Sequence, residues 1–260
     1  MFLKLLLFVF ALDLSRGLDV EEIMWEPKTR TIPDKTTVVM LGYSIKRIKN
    51  LKKILPNYVN YSNTIDKIVF IWNNPKENPP DFPKGVVPIE LYYRNNSLNN
   101  RYNINDYKVK TKTVLTLDDD VLLNSSLIRE MIELQKVNPD RLIGSDLRCT
   151  QNGNYIFSNK PPRLAIGQSM IWRLTFGEWY SNDQFIQESN NEVEYFGCDD
   201  IAINALIQYR TGKDAIGVSK KGRLHLLSFV DGLSVKKHWL KKRDRCVKYY
   251  GRHFNLTNWL

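Results

Sequence analysis

Leu117-Asp118-Asp119-Asp120-Val121 sets three carboxylates side by side directly after an apolar, strand-like run. Adjacent carboxylates repel, and a strand end gathers them where something positive compensates. A hard divalent cation, Mn²⁺ or Mg²⁺, is the natural partner for such a cluster of oxygens. A polar turn capping the following helix is the plainer alternative. A second acidic pair, Asp199–Asp200, opens a helical pattern, where either residue can serve as N-cap. Aspartates at a strand end commonly hold such a cation against a diphosphate. The phosphates then need cationic side chains, and "KKHWLKKRDRCVK" (236–248) can supply them.

The elements that would position these groups alternate. "TTVVML" (36–41) reads as a buried strand, and Tyr43–Ser44 as the loop after it. Ile48, Leu51, Ile54 and Leu55 recur at helical spacing until Pro56. "IDKIVFIWNN" (65–74), "VVPIELYYR" (86–94) and "KTVLTLDDD" (112–120) are further strands, with an Asn-rich, weakly periodic stretch before the last. Ser125 or Ser126 can cap a helix whose Leu127, Met131 and Leu134 share a face. Strand–helix–strand alternation predicts an α/β fold, a mostly parallel Rossmann-like sheet flanked by helices. Ligands of such sheets bind beyond the carboxyl ends of the strands, where Asn73–Asn74 and Asp118–Asp120 fall. In the second half, 164–176 reads as extended chain and 181–195 as polar loop. Residues 197–212 form the clearest helix, with Ile201, Ala205, Leu206 and Tyr209 as its apolar face and Gly212 as its stop. No break in composition divides the chain, which predicts a single domain over 36–255 after a lead-in at 18–35.

Composition narrows the setting. The chain has 260 residues, 43% hydrophobic and 25% charged, which is globular rather than disordered. A net charge of +10 would suit nucleic acid, an anionic membrane, a glycan or a phosphate-bearing substrate. The start of the chain discriminates among them. "MFLKLLLFVFALDLSRG" (1–17) has the shape of a signal peptide, or of a signal anchor if uncleaved. That predicts the secretory pathway, the lumen of the endoplasmic reticulum or Golgi or the exterior, and argues against nucleic acid. Cys149, Cys198 and Cys246 contain no CxxC, so an oxidising lumen would pair two and leave one over. Sequons at Asn60, Asn95, Asn124 and Asn255 add weak support.

"FIWNN", "NSLNNRY", "VLTLDDDVL" and "GCDDIAINALI", followed by "RDRC", together resemble the glycosyltransferase domain of the exostosin and exostosin-like proteins, glycosyltransferase family 64. The resemblance covers about residues 36–250. It implies a GT-A fold, a Mn²⁺ cofactor (Mg²⁺ as the alternative) and a UDP-N-acetylhexosamine donor. Transfer would retain anomeric configuration and go to a glycan, glycoprotein or glycolipid acceptor. By resemblance Asp120 is the direct metal ligand, while Asp118 and Asp119 face ribose and sugar. Asn73, Asn96 and Arg101 contact the nucleotide. Asp200 lies beside the anomeric carbon, with Asp199 its neighbour, and Arg243 binds the diphosphate. Cys198 and Cys246 match a disulfide, with Cys149 the thiol left over.

The chain also departs from that pattern. Where the family has a Thr-Tyr-x-Arg-like segment, this sequence reads Gly42-Tyr43-Ser44-Ile45-Lys46-Arg47. Lys46 or Arg47 is then either a substitute uridine contact or ordinary helix-surface charge. Residues 150–195 match poorly, and a second, N-terminal transferase domain has no room, which predicts a short single-domain member. Trp172, Trp179, Tyr180 and Trp239 suit either sugar stacking or the core. His225, His238 and His253 show no ligand spacing and receive no role. Two other readings stand beside the leading one: the same fold using another UDP-hexose, and a degenerate member that only binds a glycan.

Overall fold

The structure is a computed structural model, and it describes residues 32–190, 192, 196–226 and 237–260. The expected signal segment lies outside them. So does most of the 18–35 lead-in, whose last four residues belong to the first strand. That strand, β1 (Ile32–Gly42), is followed by helix α1 (Ile48–Tyr58) and strands β2 (Ile65–Trp72), β3 (Ile89–Tyr93), β4 (Thr111–Leu117) and β5 (Val121–Leu123). Helix α2 (Ser125–Val137) and β6 (Ile143–Gly144) come next. β7 (Leu147–Gln151), β8 (Asn154–Ile156) and β9 (Arg163–Ala165) form a separate three-stranded sheet. β10 (Ser169–Arg173), helices α3 (Leu174–Asn182), α4 (Gln184–Asn190) and α5 (Asp199–Thr211), β11 (Ile216–Gly217), β12 (Arg223–His225) and helix α6 (Trp239–His253) complete the order.

The central sheet has seven strands in the order β11-β6-β10-β4-β1-β2-β3. Only β10 runs against its neighbours, β4 and β6. Period-two alternation explains why both faces are covered. Val38, Met40, Ile68, Phe70, Leu115 and Leu117 point to one core, with Leu51, Ile54 and Leu55 of α1 and Leu127, Ile128 and Met131 of α2. Val39, Leu41, Val69, Ile71 and Val114 point to the other, shared with Phe176, Ile201, Leu206, Val247 and Tyr250. β1 and β4 are parallel neighbours, and so are β1 and β2. Their carboxyl ends, Gly42, Trp72 and Leu117, therefore open on one edge of the sheet.

Several local expectations are corrected. Asn124, not Ser125 or Ser126, caps α2: its Oδ1 accepts from Leu127 N–H at 2.8 Å. α1 runs to Tyr58 with Pro56 inside its last turn. The extended reading of 164–176 holds only for β9 and β10, because Leu174–Asn182 is helical. The polar segment at 181–195 contains α4, started by Asp183 Oδ1 accepting from Ile186 N–H at 3.0 Å. Burial of Ile186 and stacking of Phe185 on Tyr249, 4.9 Å between centroids, hold that short helix in place. In α5, Tyr209 is exposed, and the whole run Asp199–Gln208 is buried, so the helix is enclosed rather than amphipathic. Gly212 ends it with a left-handed φ of 68°. At the C-terminus, Leu256 and Trp259 are buried in the core, so packing extends past residue 255. Among the described residues no helix is long and apolar enough to cross a membrane.

Candidate active site

Asp118 follows β4 directly, and its N–H donates to Gln168 O at 3.1 Å. Asp119 and Asp120 are buried, while Asp118 keeps about a third of its side chain exposed (35%). Arg47, on the short turn Ile45–Arg47 after β1, reaches across the sheet edge to this run. It donates to Asp119 Oδ1 in a short contact and to Asp120 Oδ2 at 3.2 Å. It is thus no ordinary surface charge, a role invisible in the sequence because the contact depends on β1 and β4 being neighbours. On the other side of Asp120, His225 Nε2 lies 3.5 Å from Oδ1.

Arg101 joins this run to the second acidic pair. Its Nη1 donates to Asp118 Oδ1 at 3.1 Å and to Gly167 O at 2.8 Å, and its Nε lies 3.4 Å from Asp199 Oδ2. A side chain at position 167 would collide with it, since a Cβ there would sit 2.9 Å from Arg101 Nη1 and from the Tyr102 hydroxyl. Asn73 leaves β2 at the same edge. Its amide donates to Ser97 O at 2.9 Å and accepts from Asn100 Nδ2 at 2.9 Å. Asn96 stands exposed, and Asn100 is the residue of that stretch bound to Asn73.

Asp199 and Asp200 begin α5, but neither is its N-cap. Cys198 holds that position, without a side-chain cap. The Asp200 carboxylate instead accepts from Arg243 Nη2 at 2.5 Å, both groups being buried. Arg243 Nη1 also donates to Gly197 O at 2.5 Å, and its guanidinium lies 4.5 Å from the Tyr155 ring centre and 5.5 Å from that of Trp239. Cys198 and Cys246 are bonded, with Cα atoms 5.7 Å apart, while Cys149 is free and buried. Asn204, one turn into α5, donates to Asp200 O and Ala165 O and accepts from Ala165 N–H, which fixes α5 against β9. Trp172 and Tyr180 are core residues, Trp179 packs against the core, and Trp239 is half-buried beside Arg243.

Electrostatically the cleft is overfilled with carboxylates. Asp118, Asp119, Asp120, Asp199 and Asp200 are met by three guanidinium groups, those of Arg47, Arg101 and Arg243. Burial pushes Asp119 up to about 7, against the opposing pull of Arg47. Burial likewise lifts Asp199 to about 6, with Arg101 opposing. For Arg101 and Arg243 burial, the largest single effect, would weaken the charged form. The surrounding acidic groups together, led by Asp118 for Arg101 and by Asp200 for Arg243, more than offset it and hold both firmly protonated. Asp120 Oδ1 is buried and accepts no hydrogen bond. A surplus of buried negative charge and an orphaned carboxylate oxygen fit a divalent cation. Among the described residues no cluster of three or more His, Cys, Asp or Glu side chains has metal-binding geometry. A cation here would therefore take further ligands from phosphate and water oxygens.

A mostly parallel sheet covered by helices on both faces, with acidic groups at its carboxyl edge, is the α/β architecture of a GT-A-type fold. Residues 36–259 match the glycosyl transferase family 64 domain, and the chain belongs to that family. It is 27% identical over 233 residues to exostosin-2 of Homo sapiens, covering 84% of this chain and 32% of that protein. To glucosamine inositolphosphorylceramide transferase 1 of Arabidopsis thaliana it is 31% identical, covering 64% and 22%. The chain thus spans a third or less of these relatives. Among solved structures, S. aureus TarS, crystallised in complex with UDP-GlcNAc, shares the fold. Its TM-score is 0.55 at 10% identity, over 87% of this chain and 68% of that one.

Proposed function

We propose that the chain is a retaining, divalent-cation-dependent glycosyltransferase, with Mn²⁺ preferred. It moves an N-acetylhexosamine from a UDP-sugar to a glycan, glycoprotein or glycolipid acceptor. The observation that carries this reading is Arg101, which bridges Asp118 to Asp199 and so joins the acidic triplet and the Asp200–Arg243 pair in one cleft. One relative, glucosamine inositolphosphorylceramide transferase 1, supports by its name an amino-hexose and a lipid-linked acceptor. The N-terminal segment and the Cys198–Cys246 bridge support work in the secretory pathway.

Transfer breaks the bond between the anomeric carbon and the UDP β-phosphate oxygen and forms one to an acceptor hydroxyl, whose proton is lost. The cation, when bound, neutralises charge on the diphosphate. Asp120 would hold it, with Asp118 and Asp119 toward ribose and sugar, and Asn73, Asn96 and Arg101 toward the nucleotide. Arg243 would meet the leaving phosphate, where negative charge grows as the bond breaks. Asp200 would face the carbon that becomes positive, as nucleophile or as counter-charge during same-face attack. Arg243 holds one of its oxygens in the free protein, which supports the counter-charge role.

A panel of radiolabelled UDP-sugars, with and without Mn²⁺, tests this reading by UDP release. UDP-GlcNAc or UDP-GalNAc should be turned over only with the cation. Release from UDP-glucose or UDP-galactose alone would overturn the donor assignment, and equal rates in a chelator would overturn the cation.

A further inference from the structure

His225 plays no part in the reading above, and it stands far from Asp120 in the sequence. β12 brings the two together. Antiparallel pairing with β5 sets His225 opposite Val121, and Leu226 N–H donates to Asp120 O at 2.7 Å, so the ladder runs up to the acidic triplet itself. Backbone register thus fixes where the imidazole sits. Its Nε2 is 3.5 Å from Asp120 Oδ1. Asp120 is only 7% exposed, and this Oδ1 is the oxygen that accepts no hydrogen bond, whereas Oδ2 is occupied by Arg47.

We propose that Asp120 Oδ1 and His225 Nε2 bind the divalent cation together, which makes His225 a second protein ligand. The inference rests on the cation-dependent reading of this site. Donor atoms bonded to one small divalent cation at about 2.0–2.2 Å lie roughly 3 Å apart in neighbouring positions, so a modest closure of the pair suffices. The His225 side chain is 36% exposed, which leaves room for phosphate and water oxygens on the cation's other positions. The competing account is an imidazolium–carboxylate ion pair, which places a proton on Nε2 where the cation would bond. A nitrogen ligand also disfavours Mg²⁺, which prefers oxygen, and so sets a preference for Mn²⁺.

Pulsed electron paramagnetic resonance on the wild-type protein with Mn²⁺ and UDP tests the contact directly, because a bonded imidazole couples its ¹⁴N nucleus to the metal. The coupling is expected in the wild type and absent in His225→Ala and His225→Gln. Mn²⁺ affinity in the presence of UDP should fall in both variants by roughly tenfold or more. Suppose instead that Mn²⁺ binds, is lost in Asp120→Asn, and shows no nitrogen coupling in the wild type. That result overturns the His225 ligand and leaves the transferase reading standing. No Mn²⁺ bound by the wild type with UDP would overturn both the His225 ligand and the cation dependence it rests on.

Discussion

A carboxylate that heads a helix is ordinarily read as its cap, and Asn caps nearly as well as Asp. The Asp200 side chain does something else: it is buried against Arg243 at 2.5 Å. Asp200→Asn keeps size and one accepting oxygen for Arg243, so Mn²⁺–UDP affinity should change little. Turnover should fall roughly 10²-fold or more if Asp200 has its proposed place beside the anomeric carbon, because positive charge would develop there only during the reaction. In its proposed role Arg243 would meet a diphosphate charged before and during reaction, so Arg243→Lys should weaken UDP binding and slow transfer together. Calorimetry and turnover on the same variants separate these patterns, and near-normal turnover in Asp200→Asn removes it from the chemistry. Arg47 makes a further case. It holds Asp119 and Asp120 as a cation would, so Arg47→Met should bind Mn²⁺ more tightly and melt lower without it. Mn²⁺ titrations followed by melting read both effects, and unchanged affinity would mean that Arg47 does not compete. The Asp triplet, Arg101, Asp200 and Arg243 are legible in sequence because they form short motifs in a recognisable order. Arg47 and His225 are not, since each meets Asp120 only through strand adjacency.

Elements built from dense apolar runs are the ones the sequence discloses. β1, β2 and β4 are buried on both faces and read as such from 36–41, 65–72 and 112–117. α4 carries mostly polar residues and exists because Ile186 and Phe185 find partners from distant segments, a tertiary effect that local pattern does not encode. The same logic governs the join between α5 and α6. Cys198 precedes the Asp199–Asp200 pair, and Cys246 lies one turn after Arg243, so the bridge holds the helix of the cation against the helix of the carboxylate. With the cysteines 48 positions apart in sequence, chain-entropy arguments put its contribution at about 4 kcal/mol. The double variant Cys198→Ala/Cys246→Ala should lower the denaturation free energy by roughly 2–4 kcal/mol. It should also weaken UDP binding, because the Asp200–Arg243 register loosens. A denaturant titration that leaves the midpoint in place would show that the bridge adds nothing, and a non-reducing peptide map placing Cys149 in the bond would redraw the link.

The whole molecule carries a net charge of +10, yet its cleft concentrates acid at the carboxyl edge of the sheet. That inversion has a consequence for stability against pH. Asp119 is raised to about 7 and Asp199 to about 6, in each case chiefly by burial, from an ordinary value of 3.8. The folded protein therefore holds protons that the unfolded chain has already released. Stability falls with rising pH wherever the native state binds more protons, so these groups stabilise most fully below about pH 4 and lose that contribution as pH climbs through about 6 to 7. Asp34 and Asp146 are shifted the other way, Asp34 by its Lys136 hydrogen bond and Asp146 by cationic partners that overcome its burial. Their effect is confined below about pH 4, outside this window. One pKa unit is worth about 1.4 kcal/mol, so the metal-free protein should lose on the order of 2–3 kcal/mol between about pH 5.5 and 7.5. Mn²⁺ with UDP, bound as proposed, would favour the ionised carboxylates, so adding them should flatten or reverse the slope and release protons on binding. Denaturant titrations across that range, with and without Mn²⁺–UDP, measure the first effect, and calorimetry in buffers of different ionisation enthalpy measures the second. A metal-free stability that rises over the window would mean that Arg47 and Arg101 win over burial and that the acidic cleft is already balanced without a cation.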